Sequence, residues 1–540
     1  MASKYQVVDK IQLNTDVSEL RWLEDEQLWE ATITHMAPGS GDMGERDRQA
    51  HVVKHGKGSV YLKQEKVRAK IAISAIGGLV EPKAWPDHIP GSEQFNGDLF
   101  HTARWRDGVE LKGKDVILVG TGCSSCQVAQ SLLENHDVKS ITQLMRSPPW
   151  LDAKVPEPNH SVRYPTDTMD ALVKYPLLGP LFRYTACFGA EWQWFNLFLE
   201  KEKNIKTRQQ YQERLLHRMK KLAPKEYHEI LTPDYPVGCK RRVFDPNPGW
   251  YQCMNDPRFR LTTQKLISVE PDGITLSGNQ SYPSNIQREP KENEVIPADV
   301  ILLANGYDIR DWLHPLRVFG RGGKSIHDVW KERGGPQAYM CCAMDGYPNF
   351  FILNGPNIYS KEDSPASSFN ANLPLAGHHS VFLASENMVM YTIKMIRGVL
   401  NGEVDTVEVK KTAEIEWTKE TQRKIKQTVF ASSACTSWYK VEDGWNSTTY
   451  PRSQTDFMLR CYFPKWRHWD IKLSKRGKDK QNMRRVLGYS IAVASIVGAF
   501  WASRHGTTLY QIMKTLLIDR LDQVLQLSMM LLMKAQKKLK

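Results

Sequence analysis

Two hydrophobic periods alternate along the chain, and their order predicts its architecture. In residues 1–93 apolar and polar positions alternate every two. QLWEATITH (27–35) and HVVKHGKGSVYLK (51–63) read as hairpin strands, and KIAISAIGG (70–78) as a buried strand ending in glycines. Residues 94–108 read as a polar, aromatic linker. DVILVGTGCSSCQVAQSLLENH (115–136) changes from an apolar strand to a helix across glycines. Residues 177–222 have a helical pattern rich in Trp, Phe and Arg. Residues 256–308 return to short strands that end in ADVILLANGYD, and 377–399 predicts a long helix. There are no internal repeats. Strands alternating with helices predict an α/β protein with at least one parallel sheet.

Composition changes this picture at one end. The chain has 540 residues, 41% hydrophobic and 25% charged, with 73 Lys+Arg against 60 Asp+Glu, a net charge of +13. That is an ordinary globular composition. Lys475, Arg476, Lys478, Lys480, Arg484 and Arg485 form one basic cluster; Lys534, Lys537, Lys538 and Lys540 form another. Between them lies VLGYSIAVASIVGAFWAS (486–503), uncharged and at the lower length limit for a spanning helix. Two readings stand: a membrane contact with the main domain on the cytosolic side, or a helix buried in a soluble domain. Leu509 to Met533 reads as an interfacial amphipathic helix. The N-terminus lacks an apolar signal region, and nine scattered cysteines suit a reducing compartment. Cys123 and Cys126 form a C-x-x-C inside a glycine-rich turn and are read as small turn and helix residues. No aromatic-interleaved basic groove appears, so nucleic acid is not an expected partner.

G-x-G-x-x-G occurs at Gly39, Gly41 and Gly44, but the following ERDRQAH has no apolar helical face, so a hairpin loop is expected there. The segment after Val119 fits a dinucleotide site better. Gly120-Thr121-Gly122 makes the turn, Gly122 lets the backbone approach a pyrophosphate, and the helix N-terminus supplies amide donors. Ser125 stands at the third glycine position. Arg146 and Ser147 end the next strand, SITQLMR, where an NAD site would carry an acidic residue. That arrangement suits a 2′-phosphate and NADP(H).

Phe95-Asn96-Gly97-Asp98-Leu99-Phe100-His101-Thr102-Ala103-Arg104-Trp105 matches F-x-G-x-x-x-H-x-x-x-W, with Asp107 following. This stretch resembles the fingerprint of Baeyer–Villiger-type enzymes among the class B flavin monooxygenases. SAIGGLVEPKAWPDHIPG (74–91) is similar to the strand and cis-proline-like turn that close the flavin domain. PDYPVGCKR (233–241) is similar to the segment carrying the active-site arginine. LLANGYD (302–308) is similar to A-T-G-Y/F, with Asn305 for Thr. GYPNFFILNGPN (346–357) resembles the flavin-side loop, and TSWYKVEDGWN (436–446) a C-terminal motif. The resemblance covers about residues 5–470 and has the flavour of fungal secondary-metabolite enzymes.

The resemblance implies two interleaved Rossmann-like domains with a helical insert, to which the apolar run adds a C-terminal hydrophobic helix. Residues 1–93 and 311–470 would form the FAD-type domain and 94–310 the NADP domain with its insert at 150–235; from its charge and hydropathy, 471–540 reads as a basic hinge with membrane-associated helices. It implies FAD, NADPH and O2, with oxygen inserted into a ketone of a natural product. Arg241 would be the cation that stabilises the peroxyflavin anion and the oxyanion of the adduct. Lys240 and Arg146 would grip the 2′-phosphate, with Gly120, Thr121, Gly122 and Ser147 around the NADP phosphates. His101 and Trp105 would couple domain movement to nicotinamide binding, and Asn357 would lie near the isoalloxazine. The rival readings are a membrane-anchored NADP-binding or scaffold protein and an N- or S-oxidising enzyme. Adjacent His378 and His379 point in different directions on a helix, so no metal is expected.

The chain departs from the family at its front. Members open with an FAD-binding βαβ unit carrying G-x-G-x-x-G, then G-G-T-W and an aspartate that partners the arginine. KYQVVDKIQLNTDV resembles the segment C-terminal to all of those parts, and a βαβ unit needs roughly 30 residues or more. The expectation is a FAD-type domain without its first unit. Its readings are a misassigned start, a relative that has lost flavin, or a site completed by another subunit.

Overall fold

The computed structural model describes residues 2–504 apart from 154–173, 176, 182–190, 193, 246–248, 287, 309–311, 358–380 and 435–443. Beyond Arg504 it describes residues 508, 511, 514–516, 518, 522 and 526. The chain divides into two compact units: residues 1–399 with 406–471, and residues 400–405 with 472–540.

The first unit begins with β1 (Thr15–Leu23), β2 (Leu28–Met36) and β3 (Tyr61–Ala69), an antiparallel meander. β4 (Ala72–Ser74) comes next. The site is built on three further strands: β5 (Asp98–His101), β6 (Asp115–Val119) and β7 (Ser140–Leu144). Then come β8 (Leu151–Ala153), β9 (Val243–Asp245), β10 (Phe259–Thr262), β11 (Gln264–Glu270), β12 (Gly273–Gln280), β13 (Glu294–Pro297), β14 (Val300–Leu303), β15 (Arg317–Phe319) and β16 (Phe350–Ile352). Three helices matter here: α1 (Glu45–His55), α2 (Cys123–Asn135) and α3 (Glu202–Leu222).

A five-stranded parallel sheet in the order β10-β7-β6-β14-β5 is the centre of this unit. Alternation on β6 explains how it is covered. Val116 and Leu118 face a core with Cys126, Ala129 and Leu132 of α2 and Met219 of α3. Ile117 faces Val269, Ile274, Leu276 and Ile296 of the antiparallel sheet β11-β12-β13. Burial on both faces is why these strands read as continuous apolar runs. β15 adds to β1 in parallel, and β4 pairs in parallel with β16. Trp22, Trp29, Trp312, Trp330 and Phe350 fill the core beside them, with the Trp29 indole donating to the Pro348 carbonyl at 2.8 Å.

Several expectations need correction. Residues 94–108 are not simply a linker, because Asp98–His101 is the edge strand of the parallel sheet, paired with β14. The hairpin connection between β2 and β3 contains α1, which the sequence hid because Arg48 is its one buried residue. No cis bond occurs in 74–91; the cis X-Pro bonds precede Pro283 and Pro315. The glycines Gly39–Gly44 follow antiparallel β2 and lead directly into α1, where a plain hairpin loop was expected.

In the second unit, a helix over Lys475–Arg504 leaves Ser474, whose hydroxyl donates to the Gly402 carbonyl at 2.7 Å, and Lys480 pairs with Glu403. Val486, Leu487, Ile491, Ile496 and Val497 are exposed. Against the expectation of a span over 486–503, no helix among the described residues is long and apolar enough to cross a membrane. The amphipathic segment 509–533 and His378–His379 lie largely or wholly outside the described residues.

Candidate active site at the end of the parallel sheet

The chain leaves β6 toward β7 on one side, while β14 and β5 lie on the other, so the sheet order reverses beside β6. Such a switch point opens a crevice at the carboxyl ends of the strands. Gly120 turns the chain there with φ +118°, and a Cβ on it would stand 2.6 Å from the Ala304 carbonyl oxygen. Gly122 is the N-cap of α2, and a Cβ there would meet nothing within 4 Å. The turn thus presents open space and unsatisfied helix amides to an anion.

A buried network holds the turn from behind. The Ser125 hydroxyl donates to the Gly120 carbonyl at 2.6 Å. The Gln143 amide donates to the same carbonyl at 2.8 Å and to Ser125 Oγ at 2.9 Å, and the Trp250 indole donates to Gln143 Oε1 at 2.8 Å. The sequence pattern did not single out Gln143 or Trp250. Gln143 is a fully buried polar residue of a short, otherwise mostly apolar strand, which was its only signal. Cys123 and Cys126 belong to this turn and helix; Cys126 Sγ lies 3.7 Å from the Thr121 carbonyl. Cys239 is disulfide-bonded, and its partner is not among the described residues.

The rim is cationic. Lys240 Nζ donates to Ser147 Oγ at 2.8 Å and lies 4.0 Å from the Tyr235 ring centroid. Burial, then the neighbouring Arg146 charge, push the Lys240 ammonium down to about 8. Thr121 Oγ1 donates to the Ser147 carbonyl at 3.4 Å. Gly120, Thr121, Arg146, Ser147 and Lys240 therefore surround one end of the crevice.

The three basic residues 240–242 have different surroundings. Arg242 is buried, paired with buried Asp152 at 3.2 Å and donating to the Tyr211 hydroxyl, which itself donates to Asp152. Arg241 is half-buried between them. His101 ends β5 inside the protein, where burial holds its imidazole below its ordinary range. Its Nδ1 accepts from the Ala103 amide at 2.9 Å, so the neutral ring carries its proton on Nε2. Nε2 is buried without a hydrogen-bond partner; the Gly306 backbone and Asn305 side chain are the groups nearby that oppose the fall. Trp105 is half-exposed, its ring edge-on to Phe100 at 5.5 Å. A cavity of about 530 Å³ beside them is lined by Arg46, Lys83, Trp85, Asn305 and Asp308, among others.

Asn357 lies apart from the phosphate rim. It is buried at φ +65°, and its side chain donates to the carbonyls of Asn446 at 2.7 Å and Thr449 at 3.4 Å. Its side chain is thus engaged in tying two loops together. In that knot, Asn446 Nδ2 and Thr449 Oγ1 are buried without partners. Buried polar atoms of that kind are the donors and acceptors a polar cofactor satisfies. No group of three or more metal-ligating side chains occurs among the described residues.

Residues 49–172 match the family described as flavin-binding monooxygenase-like (FMO-like). The FAD-binding monooxygenase ktnD of Aspergillus niger is 27% identical over 479 residues, spanning 87% of this chain and 68% of that protein. A Baeyer-Villiger monooxygenase of Pseudomonas aeruginosa is 27% identical over 83% of this chain and 71% of its own. Among solved structures, OTEMO in complex with FAD and NADP has a TM-score of 0.65 at 20% identity, covering 87% of this chain and 83% of that one. Oxidised steroid monooxygenase bound to NADP has a TM-score of 0.64 at 19% identity, covering 88% and 83%. The α/β fold is the one those structures have.

Proposed function

We propose that this chain is a flavin-dependent monooxygenase that takes its electrons from NADPH and inserts oxygen into a ketone, in the manner of Baeyer–Villiger enzymes. The observation that carries the nicotinamide half is the cationic rim of Arg146, Ser147 and Lys240 beside the Gly120–Gly122 turn at the switch point. The flavin half rests on the similarity to FAD-binding relatives and on the unpartnered buried polar atoms around Asn357.

NADPH would lie with its pyrophosphate on the Gly120–Gly122 turn and its 2′-phosphate between Arg146 and Lys240. FAD supplies the redox centre and the activation of oxygen when bound. The protein's share is positioning and charge. Arg241 presents a permanent cation beside the nucleotide rim, suited to a developing oxyanion because a guanidinium stays charged and its donors are fixed in a plane. His101, neutral and buried, offers an N–H donor rather than proton transfer, and the half-exposed Trp105 packs edge-on against Phe100 of the edge strand.

The substrate is a carbonyl-bearing natural product on this reading. The test begins with the purified protein: a flavin absorbance band that NADPH bleaches, and a ketone converted to an ester or lactone. A colourless protein that takes up no added FAD overturns the reading in favour of a non-catalytic NADP-binding protein. Oxidation confined to sulfides or amines would move it to the N- or S-oxidising class. With FAD bound, Arg241→Ala is expected to keep NADPH-driven bleaching and lose oxygen transfer.

A further inference from the structure

A lysine is an awkward residue with which to read a phosphate. Its ammonium is a point charge on four flexible carbons, and each geometry it holds costs rotamer entropy. Here Lys240 is held from two sides, by Ser147 Oγ at 2.8 Å and by the face of Tyr235 at 4.0 Å. The fold brings residue 240 back over residue 235 because Gly238 turns the chain at φ +95°, with Phe198 and Val429 packed against it.

Tyr235 is itself fixed. It is 3% exposed within a core of Trp150, Trp194, Phe198 and Phe430. Its hydroxyl donates to the Pro148 carbonyl at 2.5 Å, and its own carbonyl accepts from the Trp150 indole at 2.9 Å. Both bonds reach the stretch directly after Arg146 and Ser147. The ring therefore ties the lysine to the turn that carries the other two phosphate-reading residues. The negative face of the ring also offsets the repulsion that Arg146 imposes on a second cation nearby. Asp234, next to Tyr235, is the other charge acting on the ammonium and favours its charged form.

We infer that Tyr235 is a positioning residue for coenzyme choice: its ring pre-sets Lys240 at the spacing from Arg146 and Ser147 that a 2′-phosphomonoester needs. This rests on the NADPH reading above and deepens it.

The test uses the full chain and two probes of the adenosine half, 2′,5′-ADP and 5′-AMP, with binding measured by calorimetry. Tyr235→Phe keeps the ring and should leave the preference for 2′,5′-ADP within about twofold. Tyr235→Leu should lower that preference about tenfold, the scale of a partly desolvated cation–π contact, while 5′-AMP binding stays unchanged. In a Lys240→Gln background, Tyr235→Leu should have no further effect on the ratio. Should the leucine variant not fold, fluorinated phenylalanines at position 235 weaken the ring's charge distribution at nearly constant volume, and the preference should fall stepwise with fluorine content. An unchanged ratio in either series, or equal loss for both probes, overturns the role given to Tyr235. If the unaltered protein shows no preference for 2′,5′-ADP, the NADPH reading itself fails.

Discussion

The indole N–H of Trp250 donates to the side-chain oxygen of Gln143 at 2.8 Å, and through that amide it orients the carbonyl of Gly120, the first glycine of the nucleotide turn. Both residues are fully buried. Gln143→Leu leaves the Trp250 N–H and the Ser125 hydroxyl short of a partner in an apolar core. A loss of about 1–3 kcal/mol in unfolding free energy is expected, together with weaker NADPH binding. Trp250→Phe, which leaves only the Gln143 oxygen unpaired, should cost less. Denaturant melts and nucleotide titration of the two variants check both statements.

Replacing the cations of the rim should act on one coenzyme only. Arg146→Ala and Lys240→Met are each expected to raise KM for NADPH about tenfold or more, in line with losing a charge-assisted hydrogen bond. KM for NADH should stay put. Steady-state flavin reduction with the two coenzymes measures this; a parallel loss with NADH would remove both residues from 2′-phosphate recognition.

Lys240 also predicts a pH dependence. Its folded pKa, pushed down to about 8 by burial and Arg146, lies below the usual 10.5 of the unfolded chain. As pH rises through about 8 the folded protein gives up a proton that the unfolded chain keeps. Stability therefore rises with pH between about 8 and 10.5, while the grip on the 2′-phosphate weakens over the same range. Affinity for NADPH and resistance to denaturant should move in opposite directions above pH 8. Lys240→Arg should abolish the affinity change, as followed by titration with 2′,5′-ADP from pH 7 to 9.5.

Beneath the rim, Arg242 is a buried cation whose charge is met by Asp152. Asp152→Ala strands that charge, together with the Tyr211 hydroxyl, in the core, at an expected cost of about 3–5 kcal/mol. Asp152→Leu with Arg242→Met removes both charges and should recover most of the loss. Thermal or urea unfolding distinguishes the two. If the single variant melts like the unaltered protein, the pair has no part in holding the 233–242 segment.

Legibility in the sequence tracked how local each signal was. The turn after β6 was legible because DVILV, two glycines and a helical period sit in one stretch of chain, and Arg146–Ser147 lie one strand later. β5 was hidden because its strand of four, DLFH, lies among polar and aromatic residues, and its apolar positions are set by β14, about 200 residues on. α1 was missed because a helix on the surface needs no apolar face. The Lys240–Ser147 contact joins residues 93 apart, and Tyr235 owes its place to that same closure, so no local pattern announced it. Asn357 was expected near the isoalloxazine; in the structure its side chain donates to the carbonyls of Asn446 and Thr449. For the 486–503 segment, no helix among the described residues is long and apolar enough to cross a membrane.

The closeness of Gly120 to Ala304 restricts how this site can be re-engineered. The nucleotide turn and the Asn305–Asp308 loop press on one another with no room for a single methyl group. On the proposed reading, a change of coenzyme must therefore be written on the rim, at residues 146, 147 and 240, and at Tyr235 behind Lys240. Any side chain added at 120 would instead displace the loop beside His101, and a substitution meant for the nucleotide would be felt at the other half of the active site.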